Sequence, residues 1–231
     1  MQSNLIDATA PKNKPETGQM VVIHKALRRE FGLLPGLVAE VPGTDTARAR
    51  LLARHAGLLL HFLHGHHDSE DRLLWPVLTD RVPTVKQLTA VMEQQHQTVA
   101  DLIDAIRPEL ARWSAGDGTA RGRLTGDLTR LHTALSEHLD AEEAEILPLV
   151  HEHLTVAEWE AIGEDAQQHL PRNPRLGLLL AGMVLEDATP AEQAWFLAEL
   201  PAPARLMWRL TGRSLYAAHL KRVRERRHAM T

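Results

Sequence analysis

The sequence predicts an all-α protein: an up-and-down four-helix bundle followed by additional C-terminal helices. Three observations predict it. Long segments carry apolar residues at three- and four-residue spacing, short Pro- and Gly-bearing stretches separate them, and the second pair of segments repeats the first. Composition agrees, because 44% hydrophobic residues with only 4% aromatic suits helix-on-helix packing, whereas a sheet would draw on β-branched and aromatic residues.

Residues 1–17, interrupted by Pro11 and Pro15, are expected to be a flexible tail. Four helical segments come next at about 18–40, 46–80, 84–113 and 119–152, divided by VPGTD, RVPT and SAGDGT. Connections this short make neighbouring helices antiparallel. Met20, His24, Leu27, Phe31 and Leu34 share a face of the first segment, and Leu52, Leu59, Phe62, His66, Leu73 and Val77 a face of the second. The third stripe runs Val85, Met92, His96, Val99, Ile103, Ile106 and Leu110; the fourth runs Leu124, Leu128, Leu131, Leu135, His138, Ile146 and Leu149. Each helix thus aims a histidine at the core.

Residues 154–231 read as a helical extension, with helices near 155–169, 175–187, 190–200 and 203–227. Thr155 to Glu158 has the form of a capping box, and Thr189-Pro190 that of an N-cap followed by proline at the first helical position. Trp195, Trp208 and Tyr216 suit packing against the bundle or against another copy in a homo-oligomer.

The repeat is exact in spacing. His24 and His96, His66 and His138, Glu70 and Glu142, and Pro76 and Pro148 are each 72 positions apart. HHDSEDRLLWPVL from His66 aligns with HLDAEEAEILPLV from His138. Two helical hairpins, each with one lone His and one His-x-x-x-Glu, would pack about a pseudo-two-fold axis with both sets facing the centre.

Several functions are excluded or disfavoured by composition. There is no cysteine, which removes disulfides, thiolate zinc sites, iron–sulfur clusters and cysteine nucleophiles. The start lacks a secretory pattern, and the longest apolar run, Leu176 to Leu185, is about half the ~20 residues a membrane span needs. A cytoplasmic protein with no membrane partner is expected. With 26 basic and 30 acidic residues there is no general electrostatic case for nucleic acid, and the basic residues gathered between Arg205 and Arg227 read as a solvated helix end. Nucleotide loops, Ser-His-Asp triads and flavin motifs are absent.

The chemistry lies in the 14 histidines and their company. Residues four apart on a helix share a face, so His66 with Glu70 and His138 with Glu142 each form a two-ligand claw. A lone core histidine is more often a hydrogen-bonded structural residue than a ligand. Two core glutamates change the balance, since a buried carboxylate costs several kcal/mol unless paired and neither has a Lys or Arg one turn away on its face. Mixed imidazole and carboxylate ligands suit iron, manganese or zinc. Glu70 and Glu142 are placed to bridge two cations, with His24 and His66 on one and His96 and His138 on the other. A competing register uses His67 with Asp71; because Leu139 stands opposite His67 in the repeat, a ligand role for His67 would give one metal an extra imidazole. His61 and His64 lie within reach of a hydrogen-bonding role around the ligands, though an exposed helix surface is the simpler reading.

These residues resemble the hemerythrin-like, or HHE cation-binding, family over about 20–153: lone His24, HHDSEDRLLWP, lone His96, then HLDAEEAEILP. The resemblance implies a bundle holding two non-haem irons bridged by oxygen and two carboxylates. It departs from hemerythrins proper at Ala100, where those proteins have a second third-helix histidine, and His67 is the residue able to replace it. The extension is similar to that of some actinobacterial relatives. Reaction with O2, peroxide or a small-molecule substrate is the chemistry implied. Peroxide decomposition or small-molecule oxidation, an O2, redox or iron sensor or carrier, a biosynthetic oxygenase, and a purely structural metal domain all share this site.

Overall fold

A computed structural model describes residues 13–225. Most of the predicted tail, and Arg226, Arg227 and His228 of the basic end, lie outside those residues. The last part of the tail is held in place: Lys14 Nζ donates to the Glu152 carbonyl, and His151 Nδ1 donates to the Pro15 carbonyl at 2.8 Å.

The protein is all-α. Helices α1 (Gly18–Ala39), α2 (Thr46–Ser69), α4 (Lys86–Ser114) and α5 (Ala120–Ala141) form the bundle, with α1 between α2 and α5 and α4 completing the ring. Asp45 caps α2 by accepting from the Arg48 amide at 2.8 Å. Beyond α4 the chain turns at Gly116, whose φ of 105° lies in the left-handed region that favours glycine after a helix end. The buried faces of α1, α4 and α5 are the predicted stripes.

The second and fourth segments are not uninterrupted α-helices. α2 passes through a π-helical turn at Glu70–Leu74 into α3 (Trp75–Arg81), and α5 through a π-helical turn at Glu142–Ile146 into α6 (Leu147–His153). Each turn lies just before a proline, Pro76 or Pro148, although Pro35 and Pro108 are carried inside α1 and α4 without one. In a continued α-helix each ring would collide with the carbonyl four residues earlier and leave it unbonded, and one extra residue in the turn relieves both problems. The insertion rotates the remainder of each segment by about one residue position, roughly 100°. Leu74 and Leu78 are therefore buried where Leu73 and Val77 were expected, and Leu147 and Val150 take the place of Leu149.

The extension consists of α7 (Val156–Gln168), α8 (Pro174–Glu186), α9 (Pro190–Glu199), α10 (Ala202–Met207), a π-helical turn at Trp208–Gly212, and α11 (Arg213–Arg224). The anticipated capping box forms at Thr155 with Glu158, and the anticipated N-cap Thr189 forms a second one with Glu192. α7 lies on α2 and its π turn, α8 on α1, and α11 on α8 and α2. Leu178, Leu180, Met183, Trp208, Tyr216 and Val223 join the same buried cluster as Phe31, Leu59 and Leu131, so bundle and extension share one core. Among the described residues no helix is long and apolar enough to cross a membrane.

Close contact of α8 with α11 depends on Gly182. A Cβ there would stand 2.3 Å from the Tyr216 ring. Gly182→Ala is expected to lower unfolding stability by about 1–3 kcal/mol through overpacking, despite the better helix propensity of alanine. Urea unfolding followed by circular dichroism checks it; an increase in stability would contradict this packing.

Candidate metal centre

The centre is built from four helices at one level of the bundle. His24 comes from α1, His66 and His67 from the last turn of α2, His96 from α4 and His138 from the last turn of α5, while Glu70 and Glu142 open the two π turns. All seven side chains are buried. Their ligand atoms fall into two overlapping groups. His24, His66, Glu70 and Glu142 form one, and His67, Glu70, His96 and His138 the other, with the ligand atoms of each within 4.8 Å of one another.

Distances follow the sequence repeat. His24 Nε2 is 3.4 Å from Glu142 Oε2, and its counterpart His96 Nε2 is 3.5 Å from Glu70 Oε2. Within the claws, His66 is 3.3 Å from Glu70 and His138 is 3.7 Å from Glu142. Neither glutamate meets a Lys or Arg in ion-pair range among the described residues.

The imidazoles are oriented from outside by Asp71, which the sequence offered only as a ligand in the competing register, and by Glu143 and Gln95, which the ligand pattern did not single out. His96 Nδ1 donates to Asp71 Oδ1 at 2.6 Å, and His24 Nδ1 donates to Glu143 Oε1 at 2.9 Å. Asp71 and Glu143 are themselves 72 positions apart, so the repeat extends to this outer layer and was a usable signal. Asp71 also accepts from Trp75 Nε1 at 2.8 Å, and Glu143 from Arg28 at 2.6 Å. His138 Nδ1 donates to Gln95 Oε1 at 3.1 Å; the repeat places Ile23 opposite Gln95, so nothing in the pattern announced it.

His61 and His64 are exposed on α2. The orienting bonds seen at His24, His96 and His138 come from Asp71, Glu143 and Gln95 instead. The competing register is also divided: His67 faces the centre, stacked on His96 with ring centroids 4.0 Å apart, while Asp71 bonds the far side of His96.

These outer bonds fix the tautomers. With Nδ1–H donated outward, Nε2 of His24, His96 and His138 carries a bare lone pair directed inward. His96 Nε2 and His138 Nε2 stand 3.0 Å apart, so two lone pairs face each other. The inner nitrogens of His24, His66 and His67 and both oxygens of Glu70 and Glu142 are buried with no hydrogen-bond partner. Such a set of acceptors without donors matches what cations require.

Electrostatics agree. Burial, reinforced by neighbouring imidazoles, holds His66 and His67 well below the usual histidine range and His138 down to about 2, which keeps them neutral as ligands must be. Burial pushes Glu70 well up, aided by Glu142 and Asp71, and pushes Glu142 up against the pull of His24 and His96. Glu143 runs the other way: burial is outweighed by its bonds to His24 and Arg28, and its carboxyl is lowered.

The hemerythrin HHE cation-binding domain family matches residues 17–150, which contain every residue of this centre. The chain belongs to that family. This HHE chain is 22% identical over 162 residues to the uncharacterized protein Rv1995 of Mycobacterium tuberculosis, covering 67% of the chain and 63% of that protein. The uncharacterized protein Mb2018 of Mycobacterium bovis matches to the same extent. The zinc finger protein BRUTUS of Arabidopsis thaliana is 27% identical over 127 residues, 55% of this HHE chain and 10% of the plant protein. The chain thus aligns with less than two thirds of the length of these relatives. No solved structure matches it.

Because Asp71 and Glu143 act on the HHE centre only through the imidazoles they hold, Asp71→Asn and Glu143→Gln are expected to weaken metal affinity about 10- to 100-fold without unfolding the bundle. Competition with a coloured chelator measures it. Affinity unchanged in both variants would mean that the bonds are incidental.

Proposed function

We propose that the protein is a non-haem di-iron protein that reacts with O2 or peroxide at a carboxylate-bridged site. In this reading His24, His66, Glu70 and Glu142 hold one iron, and His67, Glu70, His96 and His138 hold the other. The single observation that carries it is the meeting of bare imidazole nitrogens and unpartnered carboxylate oxygens in two groups that share Glu70. The donor set, rich in imidazole with few carboxylates, suits iron better than an all-oxygen cation. A bound iron pair supplies the redox chemistry needed to reduce O2 or peroxide.

The chain's own residues shape what reaches that site. Leu59 and Leu63 before His66, Met92 before His96, Leu135 before His138 and Leu27 beyond His24 are buried one or two turns away on the ligand faces and exclude water. His66, the most accessible ligand, is 7% exposed. Such burial favours small reactants over a bulky organic substrate, and so favours O2 or peroxide chemistry over a biosynthetic oxygenase. Ala100 leaves the His96 side without a further imidazole one turn on, and His67 supplies its third nitrogen from α2 instead.

The test is metal content by plasma emission together with the near-ultraviolet spectrum before anaerobic reduction, after it, and after exposure to air. A pair of irons with an oxo-bridge band that bleaches and returns is the expected result. A chain purified with zinc, or with none of these metals, and unable to take up iron would overturn the proposal.

A further inference from the structure

A second site lies on the α2–α4 seam, away from the metal centre. Arg50 and Arg54 of α2 and Arg107 of α4 line an open cleft of about 320 Å³ that also includes Leu60, Leu110 and Gly57. The volume is in the range of small-molecule pockets. All three arginines are exposed. Arg50 bonds only the Thr46 hydroxyl, at 3.1 Å, and Arg54 and Arg107 have no carboxylate in ion-pair range among the described residues.

The arrangement is unfavourable for the chain alone. Arg50 and Arg54 stand one helical turn apart, where like charges repel, and Arg107 adds a third from the facing helix. A guanidinium is built for two-pronged binding of carboxylate or phosphate oxygens, and several sharing a cleft raise the local concentration of anions. Leu60 and Leu110 give the cleft an apolar lining as well. Gly57 lines the same cleft and is exposed, and a Cβ added there meets nothing within 4 Å, so a larger side chain fits at this position. A head of negative charge at the rim and a compact apolar body against Leu60 and Leu110 would satisfy both surfaces at once.

We infer that this cleft binds a small organic anion, a phosphate or carboxylate carrying a compact apolar group. Along α2, Arg54 is twelve residues from His66, about 18 Å at the helical rise, so the ligand does not touch the metal ligands. The site is separate from the di-iron reading and stands whether or not that reading holds.

Ligand-observed NMR titration of the full chain with phenyl phosphate, and with inorganic phosphate for comparison, tests it. Both metal-free and iron-loaded protein are used, so that phosphate bound at the centre is recognised by its dependence on metal. Phenyl phosphate is expected to bind equally in both states and more tightly than inorganic phosphate. The double variant Arg54→Gln/Arg107→Gln removes the charges, and Gly57→Leu fills the cleft while suiting the helix; each should weaken binding at least about tenfold with the circular dichroism spectrum unchanged. No binding at millimolar phenyl phosphate would overturn the inference. So would binding that Gly57→Leu leaves intact, which marks diffuse surface attraction, or equal binding of inorganic phosphate, which removes the apolar lining from recognition.

Discussion

On the di-iron reading, Glu70→Ala is expected to abolish the paired metal site, leaving at most a single weakly held ion. Glu70 is the residue common to both ligand groups, so its loss removes an oxygen from each, whereas Glu142 belongs to one group only. Glu142→Ala should therefore leave the His67, His96 and His138 side better occupied, and His67→Ala should leave a pair of ions with an altered spectrum. The graded order is the test, read as metal per chain by plasma emission. The variant should still fold. A carboxyl that burial drives towards its protonated form burdens the metal-free protein, so Glu70→Ala without metal is expected to melt no lower than the metal-free parent. If Glu70→Ala kept a full pair of ions with an unchanged spectrum, the bridging assignment would be wrong.

Arg224→Met should cost about 3 kcal/mol of unfolding stability at neutral pH, a large share of what a domain of this size has to lose. Arg224, at the end of α11, donates to Glu30 of α1 at 2.7 Å and to Glu186 of α8 at 2.5 and 2.9 Å. Tyr216 donates to the same Glu186 at 2.6 Å, Arg29 reaches Glu30 at 2.9 Å, and His55 Nε2 lies 3.2 Å from Glu30. These contacts tie the extension to the bundle. Glu30 is 2% exposed, and removing Arg224 takes away one of the two guanidiniums paired with it while leaving Glu186 without its Arg224 partner.

The same carboxylate sets an acid dependence. Burial pushes Glu30 up, but His55 and the charges of Arg29 and Arg224 outweigh it and bring the carboxyl to about 2, from 4.5 when unfolded. Its contribution is complete above pH 4.5 and is lost as pH falls towards 2, because there the unfolded chain binds the proton more readily than the folded one. The amount is about 3 kcal/mol. Urea unfolding at pH 7, 4.5 and 3 should show this loss in the parent and a flatter profile in Arg224→Met. Parallel profiles in the two proteins would mean that Arg224 is not needed to hold the Glu30 carboxyl down.

The bundle and its centre were legible in the sequence for a simple reason. Helical spacing is local, and a burial face repeats it, so His24, His66, His96 and His138 could be put on core stripes, and the 72-residue repeat joined them to Glu70 and Glu142. The π turns were half legible: Pro76 and Pro148 were visible as repeat partners, but whether a helix kinks, stops or widens at proline depends on what the next turn must bury. That is why Leu74 and Leu78 displace Leu73 and Val77 from the core.

What the sequence by itself determined was the set of residues that share each helix face, and with it the fold class and the inward-facing histidines and glutamates. Only the tertiary structure decided which faces meet at which height. It set His67 on the stack with His96, turned Asp71 and Glu143 onto the outer nitrogens of His96 and His24, brought Gln95 to His138, and joined Glu30 to Arg224 across 194 residues. The physical reason is that helical periodicity fixes angles about one axis, whereas a hydrogen bond between helices depends on the relative rotation and height of two, which the packing of the whole core sets.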